Sequence, residues 1–140
     1  MIIIDATDLI VGRLATYAAK QTLLGKEVRI INSEKAIISG KKENTFQKYL
    51  DRRHKGTHAK GPFIHRRSER ILRRAIRGMV PFKTARGREA YKRVLCYTGV
   101  PDEFKNMKPV ELKSISKSKL PNLKYITLLQ ISERLGAKVE

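Results

Sequence analysis

Lysine and arginine are concentrated between positions 52 and 93, where fifteen of them are accompanied by only two acids, Glu69 and Glu89. The rest of the 140-residue chain holds 16 basic and 11 acidic residues, so its charge is nearly balanced. A dense positive field favours a polyanionic partner, and the planar guanidinium of arginine binds phosphate through two parallel hydrogen bonds. The segment 52–93 therefore predicts contact with the phosphate backbone of a nucleic acid.

The arginines at positions 70–77 share one side of a predicted helix, which begins near Ser68 and ends at Gly78. At 100° per residue, Arg70, Arg73 and Arg77 fall within an arc of about 60°. The opposite side carries the apolar residues Ile71, Leu72, Ala75, Ile76 and Met79. A solvated helix face usually mixes charges of both signs, whereas Glu69 is the only acid here. We therefore predict that the arginine side binds nucleic acid.

The predicted contact residues extend over the whole basic segment. Arg66 joins the arginine side if the helix begins that early, and Gly87 is expected to let the backbone approach the nucleic acid closely. Arg13 could contact the nucleic acid or form an intramolecular salt bridge. The residues predicted to bind nucleic acid are Arg52, Arg53, His54, Lys55, His58, Lys60, Arg66, Arg67, Arg70, Arg73, Arg74, Arg77, Lys83, Arg86, Arg88 and Arg93.

A catalytic or metal site is the competing interpretation of the histidines in this segment. His54 and His58 are four residues apart, but a third metal ligand is missing from their surroundings. Together with Asp51 they could form the acid–base pair of a nuclease. Hydrogen bonding to phosphate or ribose is the simpler role. We predict no metal, no cofactor and no enzymatic activity.

Strands and helices alternate in the first half, which favours crossover connections and a mainly parallel sheet in one domain, residues 1–140. The predicted strands are 2–5, 28–31, 36–39 and 125–127. The predicted helices are 11–24, 41–53, 68–78, 84–97 and 128–135. Thr7 and Asp8 are expected to cap the first helix, and Gly25 to end it. Residues 54–62 are predicted to form an extended loop that becomes ordered on its partner.

The remaining composition favours a soluble protein of the cytoplasm. The formal charge is +18, and the single cysteine, Cys96, excludes an intramolecular disulfide. No apolar run approaches the ~20 residues that a membrane span requires. We therefore expect no membrane partner.

Three sequence motifs resemble one family. The run Arg77–Gly87, with the form Arg-Gly-Met-x-Pro-x-Lys-Thr-x-Arg-Gly, is similar to the large-subunit ribosomal protein L13 family. The runs Val11–Ala15 and Tyr97–Pro101 match the same family in the same order. The Lys-Thr-x-Arg-Gly form and the short C-terminal region resemble the archaeal and eukaryotic branch, and favour archaeal origin.

The resemblance implies a three-layer α/β/α fold around a small, mostly parallel four-stranded sheet. It also implies a structural role in the large ribosomal subunit, with large-subunit rRNA and neighbouring ribosomal proteins as partners and action early in assembly. A free-standing nucleic-acid-binding regulator is the alternative. Such a protein would need Asn, Gln or Ser beside the arginines to read base edges, and the arginine side of the helix is nearly pure arginine.

Overall fold

The computed structural model describes residues 1–138 and contains five strands and five helices in that range. The strands are β1 (Ile2–Asp5), β2 (Val28–Ile31), β3 (Ile37–Ser39), β4 (Val94–Cys96) and β5 (Tyr125–Thr127). The helices are α1 (Val11–Leu23), α2 (Lys42–His54), α3 (Ser68–Met79), α4 (Ala85–Lys92) and α5 (Leu128–Arg134). The mixed α/β class predicted from the alternation of elements is confirmed.

The central sheet has three parallel strands in the order β1-β2-β4. The prediction of four strands is wrong, because β3 pairs with β5 in a separate antiparallel ribbon. A parallel neighbour needs a crossover of about a dozen residues, and the chain between β2 and β3 is much shorter. Asn32 also turns the chain away from the sheet with a φ of 53°. The three-layer arrangement stays a prediction.

The predicted helix 84–97 is wrong in its last part, where residues 94–96 form the strand β4. Helix α4 ends at Lys92, and Val94 pairs in register with Val28 of β2. A short apolar run such as Val94–Cys96 fits a buried strand or a buried helix turn equally well by periodicity. The strand assignment depends on β2, which lies far away in the sequence.

The core lies between the parallel sheet and the helices that pack on it. Leu14 of α1, Ile30 of β2 and Leu72 of α3 are fully buried in one apolar cluster. Helix α3 packs against α1, α5 and β4, which buries Ile71, Leu72 and Ile76, while Met79 at its C-terminal end is 42% exposed. This packing leaves the arginine side of α3 at the surface of the domain.

Helix ends follow the sequence signals in two places and depart from them in one. Gly25 ends α1 with a φ of 88°, and Thr127 forms a capping box with Gln130 at α5, as predicted. The prediction that Thr7 and Asp8 cap α1 is wrong, because the helix begins at Val11 after Ile10. Thr7 instead donates hydrogen bonds to the carboxylate of Asp5, and Asp8 pairs with Lys117 at 2.8 Å.

Candidate nucleic-acid interface

Helix α3 carries the densest part of the basic surface. Its predicted bounds are confirmed within one residue. On its apolar side, Ile71, Leu72 and Ile76 are buried. Arg70 and Arg74 are exposed, whereas Arg73 and Arg77 are half-buried. The helix starts at Ser68, so Arg66 and Arg67 lie in the chain that leads into it rather than on the helix. The arginine side therefore comprises two free and two packed side chains.

The two packed arginines lie over aromatic rings contributed by the next segment. The guanidinium carbon of Arg77 is 4.0 Å from the centroid of the Phe82 ring, and that of Arg73 is 4.6 Å from the Tyr91 ring. The two rings contact each other edge to face with centroids 5.3 Å apart. Stacking on a ring uses the face of a guanidinium and lowers the entropy that it loses on binding phosphate.

The remaining basic residues around α4 lie on an exposed turn and helix. Lys83, Arg86 and Arg88 are exposed, and Thr84 caps α4 by accepting a hydrogen bond from the amide of Gly87. A Cβ on Gly87 would lie 2.0 Å from the carbonyl oxygen of Pro81. The glycine therefore permits a close approach within the protein. The expectation that Gly87 brings the backbone close to RNA is not supported, because its backbone is buried.

Three of the predicted contact residues also brace the domain. The Nη1 atom of Arg53 donates to the carbonyl oxygen of Leu135 at 2.9 Å, which satisfies the end of α5. Arg93 donates to the carbonyl oxygen of Thr22 at 3.3 Å. The carbonyl oxygen of Arg66 accepts from the hydroxyl of Ser132 at 2.7 Å, through its backbone alone. Arg53 and Arg93 therefore have structural roles that the sequence did not indicate.

The segment after α2 is a compact turn, so the prediction of an extended loop over 54–62 is wrong. The amide of Gly61 donates to the carbonyl oxygen of Thr57 at 2.6 Å. Gly56 has a φ of 83°, and a Cβ there would lie 2.6 Å from the Cα of Gly61. The two glycines let the chain fold back on itself, which their spacing alone did not reveal. His54 is the last residue of α2, and Lys55, His58 and Lys60 are exposed.

Most of the positive charge has no internal counterion. Among residues 1–138, Arg93 is the only one of the fifteen basic residues of segment 52–93 in an ion pair, at 3.7 Å from Glu89. The carboxylate of Glu69 accepts a hydrogen bond from the hydroxyl of Thr98 at 3.3 Å. The surface therefore keeps nearly its full positive charge.

Arg13 and the histidines were the points left open by the sequence. Arg13 is exposed and forms no ion pair with any residue of the described range, so the salt-bridge alternative is not supported there. Over residues 1–138 there is no cluster of three or more His, Cys, Asp or Glu suited to a metal ion. Asp51 accepts a hydrogen bond from Gln47 at 2.6 Å.

No helix among residues 1–138 is long and apolar enough to cross a membrane.

Two ionisable groups beside the basic surface have shifted pKa values. Burial raises the pKa of the Cys96 thiol to about 12, although the charge of Arg73 opposes this rise. Burial also raises the pKa of Tyr49 above its ordinary value, and the charge of Arg52 opposes that shift. The Cys96 thiol therefore stays protonated at neutral pH and is a poor nucleophile.

The sequence analysis predicted no role for the aromatic residues of this surface. Phe82 and Tyr91 orient Arg77 and Arg73, and Phe63 lies in the basic turn with 80% of its surface exposed. The only sequence signal was the presence of aromatic residues among the basic ones. Which arginine meets which ring depends on the turn at Pro81.

The fold and the surface together define a class: a basic α/β protein in which one helix buries its apolar side and leaves arginines exposed on the other. Residues 1–103 match the family described as Ribosomal protein L13. The chain belongs to this family, which confirms the resemblance inferred from its motifs.

Individual relatives extend the match beyond residue 103. The chain is 44% identical to "Large ribosomal subunit protein uL13" of Methanococcoides burtonii, over 99% of both chains. It is 44% identical to the protein of that name from Methanosarcina barkeri, again over 99% of both. The protein of that name from Methanopyrus kandleri is 45% identical over 96% of this chain and 86% of its own. The relatives are mostly archaeal, in agreement with the expected branch.

Proposed function

We propose that the chain is a structural protein of the large ribosomal subunit that binds large-subunit rRNA through segment 52–93. The names of its relatives support the assignment to the subunit. The observation that carries the RNA-binding role is the unpaired charge on α3. One side of this helix is committed to the core, while Arg70 and Arg74 on the other are exposed without a carboxylate partner among residues 1–138.

Binding to phosphate, ribose and RNA shape accounts for these side chains. The deep groove of an RNA helix keeps base edges out of reach, so duplex regions are recognised through the backbone and 2′-hydroxyls. Arg70 and Arg74 supply charge on flexible side chains, whereas Arg73 and Arg77 supply guanidiniums held against rings. Lys83, Arg86 and Arg88 extend this surface along the turn and α4. No catalytic step is part of the proposed role.

The same proposal covers the cellular setting. As a constituent of the large subunit, the chain would reside on cytoplasmic ribosomes, contact neighbouring large-subunit proteins and join the subunit early in assembly. Family membership supports the setting, and the high net charge of +18 supports a resident polyanion, because self-repulsion opposes the compact state of a free protein.

The dependence of binding on salt tests the RNA-binding surface. If about eight phosphates are neutralised, the logarithm of the affinity for a large-subunit rRNA transcript should fall with the logarithm of salt concentration with a slope of about −7. Replacing Arg70 and Arg74 together by Gln should make the slope shallower by roughly 2 units, because two fewer counterions are released. Filter binding between 50 and 400 mM KCl would measure both slopes.

A pair of exposed lysines outside the segment provides the control. Lys20→Gln with Lys26→Gln removes the same charge from the C-terminal end of α1 and the turn after it, and should leave the slope nearly unchanged. Equal effects of the two pairs would mean that net charge alone governs binding. An unchanged slope for the α3 pair would refute the assignment of this helix.

A further inference from the structure

The side chain of Phe63 is exposed in a protein whose other aromatic residues are covered. Its exposed fraction is 80%, whereas the four tyrosines and phenylalanines nearest in sequence, Phe46, Tyr49, Phe82 and Tyr91, are all half-buried. A single exposed apolar residue is ordinary on a protein surface. What distinguishes Phe63 is the set of groups around it.

Phe63 lines a pocket of about 520 Å³ together with several cationic side chains. The basic residues of its lining include Arg53, His54, Lys55 and Arg66. An aromatic platform beside several cations is the combination that proteins use to hold an unpaired nucleotide, whose base stacks while its phosphates meet the charges.

The pocket is held in shape by contacts within the domain. Arg53 is anchored to the end of α5 through Leu135, and the backbone of Arg66 is anchored through Ser132. Between these anchors, Gly56 and Gly61 pack closely enough to exclude any side chain at either position. These contacts hold the backbone on either side of Phe63, so less chain entropy is lost when a ligand binds.

We propose that Phe63 stacks on one unpaired base of the large-subunit rRNA, while Lys55 and Arg66 contact the adjoining phosphates. The proposal rests on the proposed function and adds a single-stranded element to it. A base inside a duplex offers no free face, so the partner is a bulged, looped or flipped nucleotide. Stacking tolerates any base, so the position selects an unpaired structure rather than a sequence.

A tryptophan introduced at this position would report stacking directly. The chain contains no tryptophan, so Phe63→Trp would supply the sole indole. Its fluorescence should be strongly quenched by a large-subunit rRNA transcript, because a base in contact with the ring quenches it. Leu123→Trp is the matched control, since Leu123 is 81% exposed and lies outside the basic segment. Its emission should change far less.

Binding measurements separate stacking from charge. Phe63→Ala should weaken the affinity for the transcript by roughly tenfold, a change of about 1.4 kcal/mol, and Phe63→Tyr should restore it. The salt slope of Phe63→Ala should equal that of the unaltered protein, because a stacked ring releases no counterions. If Phe63→Ala loses more affinity at low salt than at high salt, the substitution has disturbed the charged contacts, and the loss does not come from stacking.

Each other outcome has a definite reading. If the unaltered protein binds the transcript with a steep salt slope while Phe63→Ala binds equally well, or both tryptophans are quenched alike, the stacking proposal is overturned and the RNA-binding role stands. If Phe63→Ala binds naked rRNA normally but is lost from purified large subunits, the ring contacts a neighbouring protein, which also overturns the proposal. If the unaltered protein shows no salt-dependent binding, both proposals fail.

Discussion

Arginine side chains on α3 fall into an exposed pair and a packed pair. Arg70 and Arg74 extend into solvent, so their charge is available at the cost of ordering a long side chain on binding. Arg73 and Arg77 are ordered already, because Tyr91 and Phe82 lie against their guanidiniums. The packed arginines therefore link the basic surface to the stability of the turn and of α4.

Loss of the Phe82 ring should destabilise the fold. Phe82→Leu removes the contact with Arg77 and the edge-to-face contact with Tyr91, so we expect the free energy of unfolding to fall by about 1–3 kcal/mol. Urea denaturation would measure the change. Arg70→Gln, at an exposed position, should shift stability by no more than about 0.5 kcal/mol. A double-mutant cycle with Arg77→Gln that shows no coupling would contradict the ring–guanidinium interaction.

At the scale of elements, the turn between α3 and α4 determines how the basic surface is arranged. The amide of Thr84 donates to the carbonyl oxygen of Pro81 at 3.0 Å, and the Thr84 hydroxyl caps α4. The first turn of α4 lies directly on Pro81, which only glycine at position 87 allows. This contact sets the direction of α4 and so the position of the Tyr91 ring under Arg73.

A methyl group at position 87 should therefore disrupt this region. In Gly87→Ala the Cβ would lie 2.0 Å from the Pro81 oxygen, so the backbone must move, and we expect a loss of about 3 kcal/mol or more. Thermal and urea unfolding would measure it. Gly78→Ala is the matched control on α3, because a Cβ there meets nothing within 4 Å. It should be neutral or up to about 1 kcal/mol more stable. Equal stability of the two variants would contradict the packing described here.

For the whole molecule, the dominant property is a large positive charge, most of which has no ion-pair partner within the described residues. The described residues contain only five ion pairs within 4.0 Å, and one of them involves segment 52–93. Repulsion among like charges opposes the compact state until a polyanion or salt screens it. Stability and binding are thus coupled, since anything that neutralises the surface also favours the folded chain.

Salt should stabilise the free protein. Raising NaCl from 20 to 500 mM shortens the screening length from about 20 Å to about 4 Å, and should increase the free energy of unfolding by on the order of 1 kcal/mol. Urea midpoints at each concentration would measure the increase. The Arg70→Gln, Arg74→Gln pair should show a smaller increase because less repulsion remains. A midpoint that falls with salt would contradict a fold limited by self-repulsion.

Local signals were enough to predict much of this molecule. The amphipathic pattern of α3, the C-terminal glycine of α1, the capping box of α5 and the strands β1, β2, β3 and β5 all depend on residues close together in the sequence. The concentration of charge in segment 52–93 and the family motifs are also properties of the chain alone. Predicting these features required no information about tertiary contacts.

Tertiary contacts decided the rest. The segment Val94–Cys96 is a strand because β2 lies beside it. The strand β3 does not join the parallel sheet, because the connection from β2 is too short for a crossover. Arg53 and Arg93 are braced by carbonyl groups 82 and 71 residues away, so no local pattern could separate them from the free arginines. Whether a charged side chain serves the fold or a partner depends on neighbours that only folding brings together, and the distribution of charge along the chain does not specify them.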